Sequence, residues 1–276
     1  MKTAVNLSCF YGVSSEDMIP VAKRAGFDGC FFDAMGDPKE IGQIAPKIRG
    51  EGLIFQSVHA PFLKMSRMWE AGEEGDLALG ELIACAEQTA KAEVSVMVVH
   101  AFIGFGEEHP NALGVERFGR LVKRAEELGL KIAFENTEGE LYLQALRDGL
   151  FSSSAAGFCI DTGHELCYNR GADMIGKYGQ NGKLFATHLN DNLGVTGPEI
   201  FWHDDAHLLP FDGIGRWQDI ADRLDSAGFD GILTLELTTK NKPNRHTHDR
   251  YEALSPLEYL TLAHERALRF ASLRKG

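Results

Sequence analysis

Acidic and histidine side chains recur in this sequence at the ends of short apolar runs. Ile-Ala-Phe is followed by Glu135, Phe-Cys-Ile by Asp161, and Leu-Thr-Leu by Glu236. Three further runs end in histidine in the same way, at His59, His100 and His188. A single carboxylate at such a position is usually explained by helix capping or by pairing with lysine. Six positions of this kind are more than core packing requires, so they indicate a shared chemical role.

Four of these residues would be unstable together without a cation. Three carboxylates and one imidazole in a single pocket repel one another and lose their hydration. A bound divalent ion removes that cost, and a mixed carboxylate and imidazole set suits Mn²⁺, Mg²⁺, Co²⁺ or Zn²⁺. The sequence therefore predicts a divalent metal site formed by Glu135, Asp161, His188 and Glu236.

The elements that carry these residues alternate regularly between strand and helix. Apolar runs typical of strands lie at residues 4–10, 29–35, 54–60, 94–102, 131–136, 156–161, 183–189 and 231–237. Helical periodicity follows each run, and the last helix opens with the capping-box sequence Ser255-Pro256-Leu257-Glu258. Eight such units without a linker-like change in composition predict a single (β/α)₈ TIM barrel domain over residues 1–276. Because the active sites of such barrels form at the C-terminal ends of the strands, we expect the strand-end residues to meet at one mouth.

The composition restricts the class of partner and the compartment. A formal net charge of −12 argues against nucleic acid or an anionic membrane as the main partner, because phosphate binding normally leaves a basic footprint. Five cysteines without a C-x-x-C pair indicate buried thiols of a cytosolic protein rather than a disulfide framework. The N-terminus lacks a signal-peptide pattern, and no apolar stretch reaches the roughly 18–20 residues of a membrane span. We therefore expect a cytoplasmic protein.

The ordered motifs along the chain resemble those of the xylose isomerase-like barrel superfamily. This superfamily contains sugar isomerases and epimerases and also the endonuclease IV-type AP endonucleases. The resemblance extends over essentially the whole chain. The motifs that carry it are His59-Ala60-Pro61, His100, Glu135-Asn136, Asp161-Thr162-Gly163-His164, His188-Leu189-Asn190-Asp191, Asp205-Ala206-His207 and Glu236.

For the sugar-isomerising members, the resemblance implies one catalytic metal ion held by Glu135, Asp161, His188 and Glu236. Glu135 and Glu236 would then also stand on opposite faces of the substrate and exchange a proton at a carbon next to a carbonyl. The metal would polarise the carbonyl as a Lewis acid and lower the barrier to an enediolate. Two carboxylates in unlike surroundings can serve as base and acid. His164 would hydrogen-bond a sugar oxygen.

For the endonuclease members, the resemblance implies three zinc ions on nine ligands. All nine counterparts occur here, namely His59, His100, Glu135, Asp161, His164, His188, Asp205, His207 and Glu236. Some ketose epimerases place a substrate-binding arginine near the position of His207. This chain has Asp205-x-His207 there instead, so the sequence is also compatible with a second or third metal ion. Against a DNA substrate, the loop at residues 65–75 contains a single basic residue, Arg67. The basic segment at residues 240–250 is either a solvated loop or a site that captures a sugar phosphate.

We therefore predict a divalent-metal-dependent isomerase or epimerase of a sugar or sugar phosphate. The expected cofactor is one ion, with up to three possible, and no membrane or nucleic-acid partner is expected; a homo-oligomer is possible. The alternatives are a multi-zinc phosphodiesterase and, since fold does not determine function, a sugar lyase, dehydratase or non-catalytic sugar-binding barrel. Six aromatic residues form either walls for a sugar ring or part of the core: Phe10, Phe32, Trp69, Phe102, Phe105 and Trp202. His203 is expected to be a loop residue, and Cys167 to be packed.

Overall fold

Eight parallel strands form the centre of the molecule. In the computed structural model, which describes residues 1–197 and 199–275, neighbouring strands pair in the order β7-β6-β5-β4-β3-β2-β1-β8. The strands are Thr3–Asn6 (β1), Gly29–Asp33 (β2), Ile54–His59 (β3), Val96–His100 (β4), Lys131–Glu135 (β5), Ala156–Asp161 (β6), Leu184–His188 (β7) and Leu233–Leu235 (β8). The backbone N–H of Leu189 donates to Thr234 at 2.8 Å and that of Glu236 to Leu189 at 3.3 Å, which joins β7 to β8. These bonds close the sheet into the predicted single (β/α)₈ TIM barrel.

Helices follow the strands and cover the outside of the barrel. They are Ser15–Ala25 (α1), Lys39–Gly50 (α2), Glu73–Lys91 (α3), Ala112–Leu128 (α4), Glu140–Leu150 (α5), Thr162–Cys167 (α6), Met174–Tyr178 (α7), Trp217–Ser226 (α8) and Pro256–Ala271 (α9). Their ends carry the predicted signals: Ser255 and Glu258 form a capping box at α9. Gly26 ends α1 at φ +106°, a conformation that favours glycine. None of the described helices combines the length and apolar character needed to cross a membrane.

The strand positions were predicted correctly, but several predicted strands are too long. β1 ends at Asn6 rather than at residue 10, and β8 covers only three of the seven residues predicted. The flanking apolar residues are buried without being paired in the sheet; Leu7 and Cys9 beyond β1 are examples. An apolar residue is expected to be buried but need not be paired in a sheet, so strands predicted from apolar runs are longer than those in the structure. The short helix α6 was missed, because its Thr-Gly-His start is a poor helix former and is stabilised by the Asp161 cap.

Alternation along the strands directs the strand-end residues into the barrel. In β5, Ile132 and Phe134 belong to the large core beneath the helices, whereas Ala133 packs in a separate small cluster inside the barrel. Successive side chains of a strand point to opposite faces, so Glu135 shares the inner face with Ala133. By the same alternation, the inner face also carries Val98 and His100 of β4, Cys159 and Asp161 of β6, and Ala186 and His188 of β7. Small residues therefore fill the barrel below, and ionisable residues occupy its C-terminal end. All five cysteines are buried, as predicted.

Candidate metal centre

Glu135, Asp161, His188 and Glu236 come together at the C-terminal end of the barrel. Each offers a ligand atom, and these four atoms lie within 4.8 Å of one another. His188 Nδ1 is 2.9 Å from Glu135 Oε1 and 3.2 Å from Glu236 Oε2. Glu135, Asp161 and His188 are fully buried, and Glu236 is partly exposed. The four residues predicted to hold one ion are thus arranged as a single group, referred to below as the four-residue group.

Two asparagines hold the four-residue group in place. Asn190 Nδ2 donates to Asp161 Oδ2 at 2.7 Å, while the backbone N–H of His164 donates to Asp161 Oδ1 at 2.6 Å. Asn136 bonds the backbone of Asp161 through both ends of its amide, at 2.8 and 2.9 Å. A Cβ atom at Gly163 would lie 1.8 Å from Asn190 Oδ1, so only glycine fits beside this asparagine. The asparagines and the glycine of the sequence motifs therefore orient a carboxylate that would bind metal.

His59, His100 and Glu135 form a second group. His59 Nε2 and His100 Nε2 each lie 3.2 Å from Glu135 Oε2. His59 Nδ1 lies 2.9 Å from the carbonyl oxygen of Ala60, and this contact turns Nε2 toward Glu135. Glu135 therefore belongs to two groups, with Oε1 facing His188 and Oε2 facing the two histidines.

His164, Asp205 and His207 form a third group. His164 Nδ1 lies 3.0 Å from the carbonyl oxygen of Asn136, and His207 Nδ1 lies 3.2 Å from that of Glu236. A carbonyl oxygen can only accept a hydrogen bond, so both contacts select the tautomer with Nδ1–H and leave Nε2 as the ligand atom. The Nε2 atoms lie 3.5 and 3.0 Å from Asp205. His207 has φ +48°, an uncommon backbone conformation for a side chain of this size.

Facing carboxylates raise the pKa values of four histidines in the three groups, His59, His164, His188 and His207, whereas burial lowers the pKa of His100. Burial opposes ionisation of Glu135, but the facing imidazoles of His188, His100 and His59 outweigh it and hold its pKa well below the ordinary value. Burial raises the pKa of Asp161 to about 7, and the nearby Glu236 adds to this. The pKa values of His164 and His188 are well above their usual range, because the facing anionic groups outweigh burial. Asp205 raises the pKa of His207 to about 9. A divalent ion bound by these oxygen and nitrogen donors would replace the protons as the compensating positive charge, so the residues present fit such an ion.

Comparison with known proteins identifies the family of this chain. The family profile described as "Xylose isomerase-like TIM barrel" matches residues 19–257. The chain belongs to the xylose isomerase-like TIM barrel family. The superfamily resemblance seen in the motifs is thereby confirmed.

Individual proteins resemble this xylose isomerase-like barrel either in sequence or in fold. The protein y4fM of Sinorhizobium fredii is 32% identical over 139 residues, which is 50% of this chain and 38% of that relative, so the chain spans well under half of its length. The structure of the IOLI protein with a bound zinc atom matches with a TM-score of 0.75 at 16% identity. The match covers 99% of this chain and 98% of that one. D-psicose 3-epimerase, crystallised in the presence of D-fructose, has a TM-score of 0.70 at 15% identity, covering 98% of both chains. At such identities the structural likeness shows the fold alone.

The mouth of this xylose isomerase-like barrel contains a cavity of about 470 Å³ above the three groups. This volume is typical of a small-molecule site. Of the nine predicted ligands, six line the cavity: His59, His100, His164, Asp205, His207 and Glu236. Glu135, Asp161 and His188 lie beneath them, so Glu236 is the carboxylate of the four-residue group that a ligand would meet.

Asp33 lines the cavity and was missed in the sequence. It ends β2 after Phe31 and Phe32, so it follows the same rule of an apolar run ending in a carboxylate, and that signal could have identified it. Ser8 Oγ donates to its Oδ2. Burial raises the pKa of Asp33, and the nearby Glu236 contributes, although His59 opposes the shift.

Some of the predicted aromatic residues and one lysine of the predicted basic segment line the cavity, and the other aromatic residues lie in the core or pack against it. Phe105 and Trp202 line the cavity, whereas Phe32 and Trp69 are buried in the core. Phe10 and Phe102 pack against that core. Lys242, from the predicted basic segment, lines the cavity, and its Nζ lies 3.3 Å from Asp205 Oδ2. His203 lies against the Trp202 ring, with 4.1 Å between centroids, and Cys167 is buried as predicted.

Proposed function

We propose that this xylose isomerase-like barrel is a divalent-metal-dependent isomerase or epimerase of a sugar or sugar phosphate. The observation that carries the proposal is the four-residue group, in which Glu236 alone faces the cavity. The fold shared with D-psicose 3-epimerase and with the zinc-containing IOLI protein supports it. An ion held by Glu135, Asp161, His188 and Glu236 would supply Lewis-acid polarisation of a substrate carbonyl.

Glu236 is the residue that we assign to proton transfer. Its carboxylate reaches the cavity, where it is placed to accept a proton from a bound substrate. The facing His188 and His207 hold its pKa below the usual value against burial and the repulsion of Glu135, so it is ionised. Removing a proton from a carbon next to a carbonyl leaves a planar enediolate. Addition of a proton to the other face by a second carboxyl group inverts that carbon. Return of the proton to the neighbouring carbon, with a hydroxyl proton passing from one oxygen to the other, moves the carbonyl. These outcomes define an epimerase and an isomerase.

Glu135 has a more restricted position than Glu236. It lies beneath the cavity lining, with one oxygen facing His188 and the other facing His59 and His100. We therefore propose that its main role is to hold the ion. Its predicted role as the second proton-exchanging residue stays a prediction, and Asp33 is another carboxyl group that lines the cavity.

A multi-ion phosphoester hydrolase is the second candidate. It is favoured by one observation: Glu135 is shared between two groups and a third group, His164, Asp205 and His207, lies beside them. A carboxylate shared in this way suits a bridging ligand, and two ions about 3.5–4 Å apart can stabilise the attacking and leaving oxygens of a phosphoester. The net charge of −12 opposes a polyanionic duplex as its substrate.

The test is proton exchange with solvent. Metal-loaded protein is incubated in D₂O with a panel of aldoses, ketoses and their phosphates, and NMR detects deuterium at C2, C3 or C4. We expect incorporation into at least one sugar together with its isomer or epimer. The same preparation is offered an abasic-site duplex and bis(p-nitrophenyl) phosphate. Cleavage of an ester without deuterium incorporation into any sugar would favour the hydrolase and refute the isomerase.

A further inference from the structure

A second cavity of about 780 Å³ adjoins the cavity of the metal centre. The two share Gly104, Phe105, Glu138 and Tyr168, and we call the second one the side groove. Each cavity has a volume within the range of about 300–1,000 Å³ that normally accommodates a whole small molecule. A single sugar ring above Glu236 would leave the side groove empty. The shape of the mouth therefore suits a ligand with two parts.

Aromatic rings form one wall of the side groove. The ring centroid of Phe105 lies 6.0 Å from that of Tyr168 and 5.8 Å from that of Phe201. Phe105 and Phe201 are 43% and 47% exposed, although both are large apolar residues. A contiguous exposed apolar surface at the rim of a polar site commonly marks a binding site. The flat face of an aromatic ring suits the C–H face of a sugar ring, which is apolar while its edge carries hydroxyl groups.

The remaining lining of the side groove is acidic. Four glutamates contribute to it: Glu108, Glu138, Glu140 and Glu199. Among the described residues that line it, one, Arg170, is basic. Glu138 accepts a hydrogen bond from the backbone of Gly104 at 2.9 Å and Glu108 from that of Leu141 at 2.7 Å, so both carboxylates are held in position. Carboxylates accept hydrogen bonds from hydroxyl groups and repel anions. The groove is thus suited to an uncharged polyol and unsuited to a phosphate.

We propose that the substrate is an uncharged glycoside. Its reacting sugar ring lies above Glu236, and its second sugar residue lies in the side groove against Phe105 and Phe201. This inference rests on the proposed isomerase or epimerase function and specifies its substrate class. Lys242, at the other side of the mouth, is paired with Asp205, so it does not require an anionic substrate as its partner.

Calorimetry on the metal-loaded protein tests this substrate class. The probes are the reducing disaccharides cellobiose, maltose and lactose, their constituent monosaccharides, and glucose 6-phosphate and fructose 6-phosphate. We expect at least one disaccharide to bind about tenfold more tightly than its monosaccharides and than both phosphates. Phe201→Ala should weaken that disaccharide roughly three- to tenfold and leave monosaccharide affinity unchanged. Tyr11→Ala is the matched control, because Tyr11 is a 64% exposed aromatic residue outside the side groove, and it should change neither affinity.

The results separate this inference from the proposed function, because deuterium exchange is measured on the same samples. Disaccharide preference without exchange would support glycoside recognition and defeat the isomerase assignment. Exchange on monosaccharides with no disaccharide preference would defeat the glycoside inference alone. The inference is also overturned if a phosphate binds most tightly, or if Phe201→Ala weakens monosaccharides and disaccharides equally.

Discussion

Glu135 and Glu236 face the same ring nitrogen, His188 Nδ1, at 2.9 and 3.2 Å. The first carboxylate is the last residue of β5 and the second follows β8, so pairing between neighbouring strands does not join them, whereas closure of the barrel does. Two carboxylates that face one imidazole are stabilised by positive charge between them, and together they raise the pKa of His188 well above its usual value, so that it keeps its proton. The predictions below follow from replacing that proton by a divalent ion.

Replacing Glu236 by glutamine should abolish turnover while leaving the fold intact. Gln has nearly the same shape, but it cannot accept a proton and is a poorer metal ligand. We expect the rate of deuterium exchange to fall by about 10²- to 10⁴-fold. Glu252→Gln, at an exposed carboxylate, is the control and should retain full activity. A Glu236→Gln variant with wild-type exchange would remove Glu236 from the mechanism.

Metal content should separate the four-residue group from the third group. We expect His188→Ala to lose both the tightly bound ion and deuterium exchange, because His188 contacts two carboxylates of the four-residue group. His207→Ala should retain one ion per chain, since its side chain contacts Asp205 of the third group, and should reduce exchange less than His188→Ala does, since His207 also faces Glu236 at 3.7 Å. Mass spectrometric metal analysis after gel filtration measures the ion content of both variants, and NMR measures their deuterium exchange. Three ions in the wild type, with His207→Ala losing one ion and an ester-cleaving activity, would instead support the hydrolase.

Gly163→Ala should weaken metal binding although Gly163 is not a ligand. The added methyl group would overlap Asn190 Oδ1, at 1.8 Å, and displace the amide that holds Asp161 at 2.7 Å. Loss of such a supporting contact typically lowers metal affinity about 10- to 100-fold. Gly80→Ala in α3 is the matched control, because its Cβ would meet nothing within 4 Å. Equal metal affinity in the two variants, measured by competition with a chelator, would contradict this role of Asn190.

Metal binding should release protons and weaken as the pH falls. The pKa of His207 is raised to about 9 and that of Asp161 to about 7, and the pKa values of His164 and His188 are also raised. A raised pKa means that the group keeps its proton to a higher pH, so at pH 7 an ion must displace protons from the centre. Apparent affinity should therefore rise with pH through about 7, where Asp161 loses its proton, and should continue to rise above that pH for as long as His188 keeps its proton. Calorimetry in two buffers with different ionisation enthalpies counts the released protons, and identical heats in both buffers would contradict the prediction.

The sequence alone was sufficient to predict the barrel and the meeting of the strand-end side chains at its mouth, because both depend on short-range patterns. A period of two residues separates Phe134 from Glu135 onto opposite faces of β5, and the C-terminal ends of parallel strands lie at one edge of the sheet. Those two regularities predict which side chains meet without any knowledge of the loops. The same two regularities apply to Asp33, which ends β2, so the sequence also contained the pattern that identifies this residue.

Only the tertiary structure decided how the nine residues divide into three groups and which of them a ligand would reach. That division depends on the rotamer of Glu135, on carbonyl contacts that select the tautomers of His164 and His207, and on the loop that carries Asp205 back to the barrel. The side groove likewise arises where Phe105 and Phe201, from loops distant in the chain, approach each other. Local sequence patterns do not encode such approaches, because loop paths and side-chain rotamers are set by packing between distant segments.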